Sequence, residues 1–156
     1  MLARYYRDVH GMNVTELRLF NIYGTGDRPP RLIPSCIEAA IGGAPVKLTA
    51  GTQKRDFVHV DDVVRAVLGA ADKSLPADIY NVATGVGTSI TDVAKMTVSL
   101  AGSKSDIQTG TIPPRANEYM NLTGDNTRLA AFGLAPKISL KDGLLKTIKE
   151  TRILKS

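Results

Sequence analysis

Apolar residues recur with two different periods along this chain, and the periods alternate. Residues 14–20 run Val-Thr-Glu-Leu-Arg-Leu-Phe, an alternation that predicts a strand. Leu32, Ile33, Cys36, Ile37, Ala40 and Ile41 repeat at helical spacing and predict a helix over 31–42. Pro34 falls in its first turn, where a missing N–H does no harm. Val46-Lys47-Leu48-Thr49 predicts a short strand, and 50–53 a turn. Phe57, Val58 and Val60 mark a strand over 55–60, followed by a helix over 62–73 with Asp61 or Asp62 as its cap. Residues 79–83 form a further strand. Ile90, Val93, Ala94, Met96 and Thr97 predict a helix to about Ala101, capped by Ser89 or Thr91.

Past that helix the pattern weakens. Residues 106–109 suit a short edge strand, and 109–124 read as a loop long enough to suggest function. Asp125 or Asn126 caps a helix that ends at Gly133, and Ser139 caps a last helix from Leu140 to about Ile153. At the other end, Met1 to His10 read as the last turns of a helix closed by Gly11. Helices and strands therefore alternate, which places the chain in the α/β class.

Composition narrows the class further. The 156 residues are 43% hydrophobic and 22% charged, the balance of a globular domain. No apolar run approaches the ~18–20 residues of a membrane span, and Arg4, Arg7 and Asp8 leave no room for a signal peptide's apolar segment. The net charge is +5, with the densest basic run from Lys141 to Lys155. No aromatic residue interleaves with that run, which argues for a solvated helix face and against nucleic acid. A basic balance also suits an anionic ligand. The single cysteine, Cys36, excludes an internal disulfide and fits a reducing, cytoplasmic setting. His10 and His59 are the only histidines, too few for a His-rich metal site, and His59 reads as a packed strand residue.

Candidate chemistry centres on Gln53-Lys54-Arg55-Asp56-Phe57-Val58-His59-Val60-Asp61-Asp62. Arg55 and Asp56 stand at the mouth of a short strand, and an arginine held there is oriented by the fold. Its planar fork suits a pair of phosphate oxygens. The competing possibility is an ion pair between Arg55 and Asp56 or another acid.

This block resembles the R-D-F/Y-V-x-V-x-D segment of the extended short-chain dehydrogenase/reductase family, the NAD-dependent sugar-nucleotide epimerases and dehydratases. Leu17 to Gly24 is similar to that family's L-R-x-x-N-x-Y-G. Ile112-Pro113-Pro114-Arg115-Ala116-Asn117-Glu118 resembles its late P-x-R-x-x-D/E segment. Phe132-Gly133-Leu134-Ala135-Pro136 and Ser139-Leu140-Lys141-Asp142-Gly143-Leu144 resemble its C-terminal end. The resemblance implies substrate-binding roles for Asn21, Leu32, Leu48, Arg55, Arg115 and Glu118, with Arg55 and Arg115 on a diphosphate and the two leucines beside a base. It implies a nicotinamide-pocket position for Phe20. It further implies NAD or NADP as cofactor, a nucleotide-diphosphate sugar as ligand, and a homodimer for the intact enzyme. Thr49-Ala50-Gly51 keeps one glycine where the family carries Gly-x-Gly, so contacts to the base in that turn transfer least securely.

Two of the family's elements have no counterpart in this sequence. None of the five tyrosines (Tyr5, Tyr6, Tyr23, Tyr80, Tyr119) has a lysine four residues on, so a Tyr-x-x-x-Lys acid/base pair is lacking. Gly85-Val86-Gly87 follows a strand and precedes a helix, but two glycines fall short of a dinucleotide loop and read as a plain turn. The expectation is the C-terminal half of a Rossmann-like, doubly wound parallel sheet plus a smaller substrate-binding subdomain. Residues 1–30 and 61–102 would be the sheet remnant, and 31–60 and 103–156 the subdomain. Such a half would bind the nucleotide sugar yet be inactive and hold NAD or NADP poorly by itself. The alternative is a non-catalytic nucleotide-sugar module, or a subunit completed by a partner chain.

Overall fold

β1 (Glu16–Leu19) and β2 (Asn21–Tyr23) follow one another almost without interruption but pair with different strands. A computed structural model describes residues 2–72, 75–114 and 116–155. In it β1 runs parallel to β5 (Ile79–Val82), with Leu17 opposite Tyr80 and Leu19 opposite Val82. β2 runs parallel to β4 (Lys54–His59), with Asn21 opposite Phe57. The strand expected over 14–20 is found over Glu16–Leu19, and past Phe20 the chain changes partner to form β2, a strand beyond the expected one. The start of β4 is held twice more. β6 (Gly87–Ser89) lies antiparallel to it, with Arg55 opposite Thr88. β8 (Asn121–Leu122) lies parallel to it, with Arg55 opposite Leu122. The stretch read as loop over 109–124 therefore contributes a strand. β3 (Val46–Lys47) pairs parallel with β7 (Ile107–Gln108).

The helices form where their apolar stripes were expected. α1 spans Leu2–His10 and α2 spans Leu32–Gly42, with Gly43 left-handed (φ 70°) at its C-cap. α3 is Val60–Ala71, α4 is Ile90–Leu100, α5 is Thr127–Ala130 and α6 is Leu140–Lys155. Ser89 Oγ accepts the Asp92 N–H (3.1 Å) and Ser139 Oγ accepts the Asp142 N–H (3.1 Å), each tying down a first helical turn. α3 corrects the expected cap: His59 holds that position, its Nδ1 accepting the Asp61 N–H at 3.2 Å. Asp62 is instead fully buried. Its Oδ2 accepts the N–H groups of Lys137 (3.0 Å) and Ile138 (2.9 Å), and its Oδ1 faces Arg65 Nη1 at 2.6 Å. A carboxylate used to anchor the entry to α6 cannot also cap α3.

Two apolar clusters result. One joins α2, α4 and α6 to β3 and β4 through residues such as Ile37, Cys36, Val93, Leu144 and Phe57. Burying each large aliphatic chain there is worth about 1.5–3 kcal/mol. The other joins β1 and β5 to α3 and α5 through Val58, Ala66, Tyr80, Val82 and Leu129. β4 belongs to both: Phe57 packs into the first and Val58 into the second. Consecutive residues of a strand face opposite ways. The same alternation sends Arg55 and Asp56 in different directions.

Candidate functional site

A cleft of about 660 Å³ opens between α2, β3 and the start of β4. One wall is apolar and includes Leu32, Cys36, Ala39, Val46 and Leu48. α2 supplies its residues at positions 32, 36 and 39, the i, i+4, i+7 stripe of one helix face. The opposite side carries Asn21, Gln53, Arg55 and Glu118. Arg31 and Lys47 also line the cleft.

Arg55 is the most constrained cation of this group. Its Nη1 donates to the carbonyls of Tyr119 (2.7 Å) and Lys54 (2.8 Å), and its Nη2 donates to Glu118 Oε1 at 2.9 Å. The two side chains of that ion pair are 13% and 22% exposed. Glu118 is held in turn by Gln53, whose Nε2 lies 3.4 and 3.3 Å from the two carboxylate oxygens and donates to Thr49 Oγ1 at 2.8 Å. Asn117, just before Glu118, has a left-handed backbone (φ 58°), a conformation asparagine tolerates.

Asp56, beside Arg55 near the start of β4, faces away from the cleft. It is fully buried and does not pair with Arg55. Its Oδ1 accepts from the Thr84 N–H (2.9 Å) and hydroxyl (2.6 Å). Its Oδ2 accepts from the N–H groups of Gly85 (2.9 Å) and Gly124 (3.2 Å). No cation pairs with it among the described residues. Four donors do the work of solvating the charge. This arrangement clamps the β5–β6 turn and the end of β8 to the middle of β4. It also uses the Gly85 N–H, which leaves that turn unsuited to a pyrophosphate.

The remaining expected residues divide. Asn21 lines the cleft, and its Nδ2 donates to the Asp56 carbonyl at 3.2 Å. Leu48 is buried in the wall and Leu32 is half-buried beside it. Phe20 is not part of the wall. Its ring packs in the second cluster against Gly124, where an added Cβ would lie 2.7 Å from Phe20 Cζ. Arg115 lies outside the described residues. Burial pushes the Cys36 thiol up to about 12, so it stays protonated and serves as wall. Gln53 and Arg31 went unnoticed in the sequence. Gln53 sits in a turn where a polar residue is ordinary, and nothing local marks it as buried. Arg31 precedes α2 among turn residues, yet its Nη2 donates to the Ile22 carbonyl at 2.8 Å and holds that turn against β2.

Comparison with known proteins matches this architecture. The model of the NAD dependent epimerase/dehydratase family matches residues 1–83. CDP-abequose synthase of Salmonella typhimurium is 35% identical over 154 residues, covering 95% of this chain and 52% of that protein. UDP-glucose 4-epimerase of Mycolicibacterium smegmatis is 28% identical, over 92% of this chain and 47% of its own length. Among solved structures, UDP-glucose 4-epimerase of Thermotoga maritima with UDP-glucose superimposes with a TM-score of 0.92 at 29% identity, over 100% of this chain and 51% of that one. The chain thus spans about half the length of the relatives it matches, and its parallel α/β fold is that of half a UDP-glucose 4-epimerase. On the family match and the shared fold together, the chain belongs to the NAD dependent epimerase/dehydratase family.

Proposed function

We propose that this chain is the nucleotide-sugar-binding half of an NAD(P)-dependent sugar-nucleotide epimerase, dehydratase or reductase. The observation that carries the reading is the cleft, in which an apolar wall faces a guanidinium fixed by three acceptors. An apolar slot beside a few placed polar groups is what a base and its diphosphate require. In this reading Leu32 and Leu48 flank the base. Arg55 holds the diphosphate, with Arg115 reaching it from the far side, and Asn21 and Glu118 stand alongside. The names of the relatives, which include CDP-, UDP- and dTDP-sugar enzymes, support the ligand class.

The described residues do not fit the dinucleotide. The one candidate turn among them spends its Gly85 N–H on Asp56. NAD or NADP, when bound by the whole protein, would supply hydride transfer. This chain's part would be to hold and orient the sugar nucleotide. By itself the chain is expected to bind without turnover, since no tyrosine here has a lysine four residues on.

Calorimetric titration with UDP-, dTDP-, GDP- and CDP-sugars tests the reading. Binding of at least one is expected, with no conversion when NAD or NADP is added. Failure of all four to bind at millimolar concentration would defeat it. A non-catalytic nucleotide-sugar-binding module, or a subunit completed by a partner chain, shares the same cleft. The second is favoured by an exposed apolar stripe on α3, formed by Val64, Val67 and Leu68 (50, 47 and 63% exposed). Restored turnover on mixing with a complementary N-terminal half would support a split enzyme over a module.

A further inference from the structure

We infer, on the reading of the cleft as a nucleotide-diphosphate site, that Thr91 in the first turn of α4 is a positioning residue for ligand binding. It holds the turn over 50–53 in the shape that sets Gln53 against Glu118. The first N–H groups of a helix have no partner inside it. In α4 the Ile90 N–H donates to the Gln53 carbonyl (3.1 Å) and the Thr91 N–H to the Gly51 carbonyl (3.0 Å). The Asp92 N–H goes to Ser89 Oγ. Two of these three acceptors therefore belong to the turn beside the cleft. The Thr91 hydroxyl adds a second bond to the Gly51 carbonyl at 3.1 Å, across 40 positions of sequence. Gly51 has a left-handed backbone (φ 74°), and a Cβ there would overlap Thr91 Oγ1. Turn and helix are thus fitted to each other at one pair of residues.

Thr91 does not line the cleft, but Gln53, whose turn it holds, does. Gln53 is 6% exposed and gripped at both ends. Its carbonyl is bound by α4, while its Nε2 donates to Thr49 Oγ1 at 2.8 Å and lies 3.4 and 3.3 Å from the two Glu118 oxygens. The two Glu118 contacts are near the outer limit of a hydrogen bond. A shift of the turn by about 0.5 Å, the tolerance within which a site's groups must be held, would break them. Glu118 in turn bonds Arg55 Nη2 at 2.9 Å. The base of this chain of contacts is firm, because Val93, Ala94 and Val98 of α4 are buried in the first apolar cluster. Polar groups fixed beforehand spare the ligand the cost of ordering them on binding.

The competing role is purely structural, with Thr91 closing the start of α4 and nothing more. The two roles separate in affinity. Positioning predicts that UDP, the nucleoside diphosphate used as probe, binds the Thr91→Val chain roughly two- to fivefold more weakly than the unaltered one. Thr91→Ser keeps the hydroxyl and should stay within about twofold of the unaltered affinity. Thr97 supplies the control. It is buried in the same helix, and its hydroxyl donates to the Val93 carbonyl at 2.8 Å, away from the turn. Thr97→Val should lower stability and leave UDP affinity within about twofold. In a Gln53→Ala background, Thr91→Val should change UDP affinity less than about twofold, because the side chain it positions is gone.

Calorimetry on the full chain and its variants reads these affinities, with circular dichroism melts confirming that each variant is folded. Thr91→Ala also lacks the hydroxyl and favours the helix, so it guards against loss of fold in Thr91→Val and should show the same weaker binding. Affinity unchanged in both, whatever the melts show, overturns the inference. A loss that Thr91→Ser shares overturns it too, since the hydroxyl would not then be the cause. So does an equal loss in Thr97→Val, which would mean that any loosening of α4 suffices, or an equal loss with and without Gln53. If the unaltered chain binds none of UDP, dTDP, CDP and GDP, the reading of the cleft falls and this inference with it. Binding by the unaltered chain without the Thr91 effects removes the inference alone.

Discussion

Arg55 and Asp56 are neighbours on β4, yet one faces the cleft and the other is sealed among four donors. Asp56 fixes the backbone from which Arg55 projects. Replacing Asp56 with alanine would leave the N–H groups of Thr84, Gly85 and Gly124 without their acceptor. Gly124 is buried, Thr84 half-buried and Gly85 exposed, so only the Gly124 N–H is orphaned out of reach of water, at a cost of about 1–3 kcal/mol. Asp56→Ala should therefore lower stability by about 1–3 kcal/mol, read from urea unfolding. A loss under about 1 kcal/mol would show that the clamp carries little.

Gly143, in the first turns of α6, packs against Tyr23. A Cβ there would overlap the tyrosine hydroxyl and lie 3.0 Å from His59 Cδ2. On helix propensity alone Gly143→Ala should stabilise by about 1 kcal/mol. The overlap should reverse the sign, since forcing atoms into a packed core costs about 1–3 kcal/mol. A raised melting temperature in Gly143→Ala would contradict this packing.

His59 gives the pH dependence a direction. Burial holds its imidazole below the ordinary 6.5, and Lys146 acts with burial while Asp61, Asp62 and Glu150 oppose it. Tyr23 meets the ring edge-on. Because the folded value is depressed, the unfolded chain takes up a proton that the native state refuses. The stability from neutral His59 is present in full above about 6.5 and declines as pH falls below it. One proton limits the slope to about 1.4 kcal/mol per pH unit. His59→Asn keeps a capping side chain but does not titrate. Its unfolding free energy should be flatter between about pH 6.5 and 5, and an unchanged slope would contradict the assignment.

Much of this fold was legible because burial and period agree. The stripe of α2 survives folding, whereas β4 is buried on both faces from Asp56 to His59 and gives up Val60 to α3. Where the reading failed, a tertiary partner had intervened. Asn21-Ile22-Tyr23 lies past the expected strand, and it becomes a strand by pairing with β4. Asp61 and Asp62 are better caps than histidine in isolation, but Asp62 is claimed by the N–H groups of Lys137 and Ile138. Asn121-Leu122 is too short and exposed to show any period. Arg55, Asn21, Leu32, Leu48 and Glu118, distant in sequence, all line one cleft, and Phe20 lies apart from it. The Gln53–Glu118 contact spans 65 positions, and no local pattern can report it.

The stripe of Val64, Val67 and Leu68 on α3, with Leu19 on β1 also exposed, makes the isolated chain prone to associate. Light scattering should show self-association that Val67→Lys with Leu68→Glu reduces. A sharp monomer of the unaltered chain, with cooperative unfolding, would count against an unfilled surface.

The central claim, that the cleft grips a nucleotide diphosphate through Arg55, is tested most directly by calorimetric titration of the Arg55→Ala chain beside the unaltered one. A hydrogen-bonded contact to a charged group is worth about 1.5–3 kcal/mol. The account predicts a ten- to hundredfold weaker affinity, roughly, for whichever of the UDP-, dTDP-, GDP- or CDP-sugars binds, with Arg55→Lys in between because it keeps the charge and loses the fork. Equal affinity in the Arg55→Ala and unaltered chains would contradict it.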